Sequence, residues 1–204
     1  PSGIHLIGTS GPDTILLGQG INRHLGTGNA TIEGLAGSDK LGGAGGNDSI
    51  YGGAGHDWIY GGAGQDWLHG GTGNDRIYGG LDNDTLYGGS GRDCFVFNTK
   101  LGTSKTDRKV NFDTIGDFRV KYDSLWLDNA IFKKLGKGSV TKPGQLNKEF
   151  FVTGKALEKD DYLVYNKKTG ILSYDADGSG SKAAVEFAQL KKGLALTYKD
   201  FFVI

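Results

Sequence analysis

The sequence has no methionine and a single cysteine among its 204 residues. With one cysteine no internal disulfide can form, so sulfur does not staple this fold. Cys94 reads as a free thiol on a strand. With no methionine, Pro1 does not look like a translation start. The chain is therefore expected to be a fragment or processed product, with room for a further domain upstream. No apolar run approaches the ~18 residues of a membrane-spanning helix. No leader with a basic start and an apolar middle is present. The signatures His-Glu-x-x-His and Gly-x-Ser-x-Gly are missing, and no Cys/His pair stands out, so the chain is not expected to be an enzyme. The formal net charge is 0, and no nucleic-acid partner is expected. The halves nevertheless differ. Residues 1–99 hold 4 Lys+Arg and 10 Asp+Glu, whereas residues 100–204 hold 19 and 13. Such asymmetry suggests two units with different surface chemistry.

What the sequence has in excess is glycine, with 37 residues against a usual share of about 7 %. They cluster between residues 34 and 93 and recur with a period of nine. Gly52-Gly-Ala-Gly-His-Asp-Trp-Ile-Tyr60 is followed by Gly61-Gly-Ala-Gly-Gln-Asp-Trp-Leu-His69 and Gly70-Gly-Thr-Gly-Asn-Asp-Arg-Ile-Tyr78. Two further copies run over 79–87 and 88–96, and two looser ones over 34–42 and 43–51. The sixth place holds Asp39, Asp48, Asp57, Asp66, Asp75, Asp84 and Asp93. The eighth holds Leu41, Ile50, Ile59, Leu68, Ile77, Leu86 and Phe95. Residues 8–16 fit the same template, while 17–33 lack the sixth-place Asp and read as degenerate coils.

This pattern resembles the repeats-in-toxin (RTX) nonapeptide G-G-x-G-x-D-x-U-x, a calcium-binding repeat. The resemblance implies an all-β fold: a right-handed parallel β-roll followed by a β-rich C-terminal capping module. The expected division is degenerate coils over 1–33, a calcium-binding roll over 34–96 and a cap over 97–204. In such a roll three residues make a short strand and six make a turn. Two repeats then close a coil of eighteen, and residues eighteen apart stack at the interstrand spacing of ~4.8 Å. Asp39, Asp57, Asp75 and Asp93 would line one edge, and Asp48, Asp66 and Asp84 the other.

Such a coil is weak alone. Ordering nine glycine-rich residues costs more than one buried apolar side chain returns, and stacked carboxylates repel. A hard divalent cation between coils answers both problems. Oxygen ligands without repeating Cys or His select Ca²⁺. The resemblance implies that each ion takes the sixth-place Asp of two neighbouring coils. The pairs are then Asp39/Asp57, Asp57/Asp75, Asp75/Asp93, Asp48/Asp66 and Asp66/Asp84, or about five sites. Carbonyl donors would include Gly53, Gly55, Gly62, Gly64, Gly71 and Gly73. Asp82 departs from the motif by replacing the fourth-place glycine, and His56 and His69 read as solvent-facing fillers.

Beyond Val96 the period stops, and short strands are expected at 94–98, 113–118, 124–127, 150–152, 162–165 and 171–174. The stretch 175–186 also matches the EF-hand loop spacing, with Asp175, Asp177, Ser179, Ser181 and Glu186 as candidate ligands of one more calcium. A plain loop between two strands is the other reading of that stretch. The end, Asp200-Phe-Phe-Val-Ile204, looks like the tail of RTX proteins exported through type I channels. The resemblance thus implies a secreted bacterial protein, a type I exporter as partner, and a folding and secretion module for an upstream catalytic or adhesive domain. Two alternatives remain. One is an adhesin or carbohydrate-binding module using Tyr51, Trp58, Tyr60, Trp67, Tyr78 and Tyr87. The other is the C-terminal part of a secreted hydrolase or protease.

Overall fold

The computed structural model describes residues 4–16, 27–103, 108–178 and 183–204. The first ten strands are β1 (Ile4–Ile7), β2 (Thr14–Leu16), β3 (Ala30–Glu33), β4 (Lys40–Gly45), β5 (Ser49–Ala54), β6 (Trp58–Ala63), β7 (Trp67–Thr72), β8 (Arg76–Leu81), β9 (Thr85–Ser90) and β10 (Cys94–Phe97). Odd strands pair only with odd strands and even with even, always parallel, in two separate sheets. The chain crosses to the other sheet at each repeat, and the register returns after eighteen residues, as in Ile50↔Leu68↔Leu86. Eighth-place side chains therefore point inward from both sheets. One column runs through Leu6, Ile32, Ile50, Leu68, Leu86 and Ile115. The other runs through Ile15, Leu41, Ile59, Ile77, Phe95, Leu125 and Phe201. From Ile32 and Leu41 onward both columns are buried.

The sheets do not end at Val96. β11 (Asp113–Ile115) adds to β9, and β12 (Ser124–Leu127) adds to β10, again parallel. These strands close another coil. The remaining strands are β13 (Gly144–Gln145), β14 (Phe151–Thr153), β15 (Leu163–Asn166), β16 (Ile171–Tyr174), β17 (Val185–Gln189) and β18 (Phe201–Val203). The first sheet continues β11-β17-β16-β15-β14, and the second continues β12-β18-β13. Antiparallel pairing enters here, between β15 and β16, β16 and β17, and β13 and β18. Aromatic rings now fill the interior: Phe187 meets Phe97 and Phe132 edge-on, each with centroids 5.2 Å apart.

The expected strands recur with small shifts. The one at 113–118 stops at Ile115, and the one at 150–152 starts at Phe151 because Phe150 belongs to a 3-10 turn capped by Asn147. Strand β18 is the C-terminal tail itself, with Phe201, Val203 and Ile204 buried. Among the described residues no helix is long and apolar enough to cross a membrane.

Outward-facing rings pack on one another along the sheets. Trp67 lies between Tyr51 and Tyr87, at 5.0 and 5.4 Å, and Tyr60 stacks on Tyr78 at 4.6 Å. Such cross-strand pairs stabilise a half-exposed sheet face. His69 belongs to this ladder, stacked on Trp67 and Tyr87, and so is half-buried rather than a solvent-facing filler.

Each inward column is one side chain wide, so a gap in it cannot be filled from the side. Leu68→Ala is expected to cost ~2–5 kcal/mol, as deletions of buried leucine do. Exposed Gln65→Ala should stay within ~0.5 kcal/mol of the parent. Denaturant unfolding in saturating calcium measures both.

Candidate metal centre

Two files of aspartates run along the edges where the chain passes between sheets. Each sixth-place carboxylate accepts, through Oδ1, a hydrogen bond from the backbone N–H one coil earlier. In the first file Asp39 N–H donates to Asp57 at 2.8 Å, Asp57 to Asp75 at 2.9 Å and Asp75 to Asp93 at 3.0 Å. In the second, Asp48 donates to Asp66 at 2.8 Å and Asp66 to Asp84 at 2.9 Å. The structure thus brings together all five expected pairs. Ala30 stands at the head of the second file, giving its N–H to Asp48 but offering no carboxylate.

The other oxygen of each carboxylate accepts no hydrogen bond. Oδ2 of Asp39, Asp48, Asp57, Asp66, Asp75, Asp84 and Asp93 is buried without a hydrogen-bond partner. A buried carboxylate oxygen left this way carries a desolvation penalty. Seven in register are not accidents of packing. Burial pushes the carboxyl pKa up to about 6 for Asp48 and Asp93 and to about 7 for Asp66, Asp75 and Asp84, against the lowering effect of the N–H bonds. Asp39 and Asp57 are raised by the same cause.

Glycine is required around these oxygens. A Cβ on Gly52 would collide with both Asp57 Oδ2 and the Gly70 carbonyl, and one on Gly61 with Asp66 Oδ2 and the Gly79 carbonyl. First-place carbonyls, which the sequence reading did not name, thus share with the carboxylates the volume that each glycine leaves open. The expected second- and fourth-place donors lie in the same turns. The Gly53, Gly55 and Gly62 carbonyls press on Gly71, Gly73 and Gly80 of the next coil, those of Gly71 and Gly73 press on Gly89 and Gly91, and Gly64 N–H donates to Leu81. The donor set is oxygen throughout, which fits a hard divalent cation such as Ca²⁺. No cluster of three or more His, Cys, Asp or Glu forms among the described residues.

Three aspartates that sequence reasoning left outside the files belong to them. Asp13 N–H donates to Asp39 at 2.7 Å, Asp84 N–H to Asp113 at 3.1 Å and Asp93 N–H to Asp123 at 3.2 Å. Gly79 has Oδ2 atoms of both Asp84 and Asp113 beside its open Cβ position. Two unrecognised repeats therefore run over 108–116 and 118–126, with Asp sixth and Ile115 or Leu125 eighth. Their fourth places, Asn111 and Lys121, have φ of 48° and 76°, like Asp82 at 76°. The available signal was the spacing Asp-x-Ile/Leu, hidden because glycine was absent. Fifth-place side chains form a parallel ladder: His56 Nδ1 accepts from Asn74 N–H at 2.8 Å.

The stretch 175–186 is different. Asp177 N–H donates to Asp175 Oδ1 at 3.3 Å. Glu186, the last expected ligand, is engaged by the Arg108 guanidinium instead. Ser179 and Ser181 lie outside the described residues.

Residues 24–59 and 60–93 match the family model described as the RTX calcium-binding nonapeptide repeat, four copies. This stretch is a run of RTX calcium-binding repeats. RTX repeats are typical of secreted proteins, and here they build a parallel β-roll. No curated protein matches the chain. Among solved structures it is similar to the AlgE6R3 subunit of the mannuronan C5-epimerase of Azotobacter vinelandii, with 20 % identity over 95 % of this chain and 79 % of that one. The TM-score is 0.31, a likeness too loose to argue from.

The raised carboxyls set a pH dependence. Without calcium the folded roll holds protons that the unfolded chain, with aspartates near 3.9, releases. The resulting stabilisation is complete below about pH 4 and is lost as pH rises through about 6 to 7. Chelated protein should therefore gain β structure by circular dichroism between about pH 8 and about pH 5. Calcium affinity should fall over the same range, because protons compete for the ligands.

Proposed function

We propose that this chain is the calcium-triggered folding module of an exported protein, carried at the C-terminal side of a cargo. The observation that carries the reading is the set of seven buried Oδ2 atoms without a hydrogen bond, of which that of Asp93 lies 3.5 Å from Arg119 Nη2. The roll has one inward side chain per repeat and a file of buried carboxylate oxygens without hydrogen bonds along each edge, so it is poorly stable until a cation satisfies them. Asp39, Asp48, Asp57, Asp66, Asp75, Asp84 and Asp93 would hold the ions, about five in number, with glycine carbonyls completing each shell. Asp84 and Asp113 offer a sixth pair of the same kind. Extracellular calcium modules bind with dissociation constants of roughly 10⁻⁴–10⁻³ M, far above cytosolic calcium. The module would thus stay unfolded inside the cell, suit a narrow type I channel, and fold outside.

In this scheme the exporter reads Asp200–Ile204 before folding, since Phe201 and Val203 become a buried strand afterwards. Folding also removes the signal, which opposes return.

Two measurements test the reading. Chelated protein near neutral pH should lack stable β structure and regain it in millimolar calcium. A strand-rich spectrum after complete chelation rejects the trigger. Deleting Asp200–Ile204 should abolish export from a host with a matched type I exporter. Full-level appearance of the truncated chain in the medium would reduce the tail to a structural strand.

A further inference from the structure

The aspartate files end in different ways. At the head of the first file Asp13 Oδ2 is taken by Thr9, through its N–H at 2.6 Å and its hydroxyl at 3.1 Å. Along the files Oδ2 is bare. At the far end of the first file, between Asp93 and Asp123, a cation is already present. The Arg119 guanidinium places Nη2 3.1 Å from Asp123 Oδ1 and 3.5 Å from Asp93 Oδ2, with Nε 3.4 Å from Asp123 Oδ2. Nη2 also donates to the Gly91 carbonyl at 2.6 Å, and Arg119 N–H donates to Asp123 Oδ2 at 2.7 Å.

Two stacked sixth-place carboxylates and a fourth-place glycine carbonyl are the ligand types that the calcium reading assigns to each coil-to-coil site. Asp93 and Asp123 are almost fully buried, and Asp93 N–H bonds to Asp123 as in every other pair. Only the cation differs. We infer that Arg119 is a built-in substitute for a calcium ion. It neutralises the last pair of the first file from within the chain, so this coil closes without metal. Among the described residues no cation stands at the end of the second file, where Asp84 N–H donates to Asp113 as in the other pairs. The inference rests on the calcium reading above.

The substitution is chemically reasonable. A guanidinium carries one charge and five donors in a planar fork, enough to engage two carboxylates and a carbonyl. It cannot dissociate into solvent. Closing one coil in this way would give the roll a metal-independent edge, on β10 and β12, against which calcium-bound coils can stack. The Arg119 side chain is 38 % exposed, so the position is open to solvent once the guanidinium is removed.

The experiment is a calcium count. Equilibrium dialysis of the full chain in millimolar calcium gives the ions bound by the parent and by Arg119→Gln. The variant should bind one ion more per chain, and its folding midpoint should depend more steeply on calcium concentration. Arg119→Lys, which keeps a positive charge, should retain the parental count. An unchanged count in Arg119→Gln overturns the inference. So does a variant that stays unfolded at saturating calcium, because an ion able to take the guanidinium's place would restore the coil. If the parent itself binds no calcium, the underlying reading has failed rather than this one.

Discussion

Everything in this fold hangs on one bifunctional group, the sixth-place carboxylate. Its Oδ1 accepts a backbone N–H from the preceding coil, which fixes the stacking register. Its Oδ2 is turned into the turn and left bare. The first interaction joins coils in the way a sheet hydrogen bond does. The second makes the joined state costly, since a desolvated carboxylate oxygen without a donor is worse than one in water. The same side chain therefore specifies the fold and withholds its stability. A cation or a proton removes the penalty, which ties folding to the surrounding solution rather than to sequence alone.

The glycines follow from the carboxylate rather than from a need for flexibility. Asp57 Oδ2 occupies the volume where a Cβ on Gly52 would sit, and the Gly70 carbonyl crowds the same volume from the next coil. A larger residue there would push the oxygens apart and spoil the cluster that a small hard ion needs. Where stacking permits, other residues replace the turn glycines: Asp82, Asn111 and Lys121 all take positive φ at fourth places. Asn and Asp tolerate this region better than most residues, whereas Lys121 carries a backbone cost that the surrounding coil must hold.

These replacements explain what could and could not be read in the sequence. Over 34–96 glycine, aspartate and the inward apolar residue recur together, so the two sheets, their eighteen-residue register and both aspartate files were legible. After Val96 the same turns persist, but their glycines are gone and insertions lie between them. Asp84 and Asp113 are neighbours across 29 residues, and Asp93 and Asp123 across 30. A search for a fixed period cannot see either. Arg119 was invisible for a further reason: its role depends on a position in space that no spacing announces. The tail has a second place that its composition does not announce. Three of its four apolar residues, Phe201–Val203, enter the second sheet as β18, between β12 and β13.

The charge asymmetry between the halves also takes on a different meaning once the files are placed. It suggested two units with different surfaces. Yet of the 10 acidic residues in 1–99, eight are file aspartates and seven of those are buried. Only Glu33 and Asp82 stand outside the files, and the same stretch of sequence holds 4 Lys+Arg. Most of the negative charge of that half is therefore stored along two internal edges. The excess acid is thus a reserve of unpaired ligand rather than a surface property. In the C-terminal half, where the 19 Lys+Arg lie, one file is closed by arginine. Where the chain supplies its own cation, a coil no longer needs one from solution.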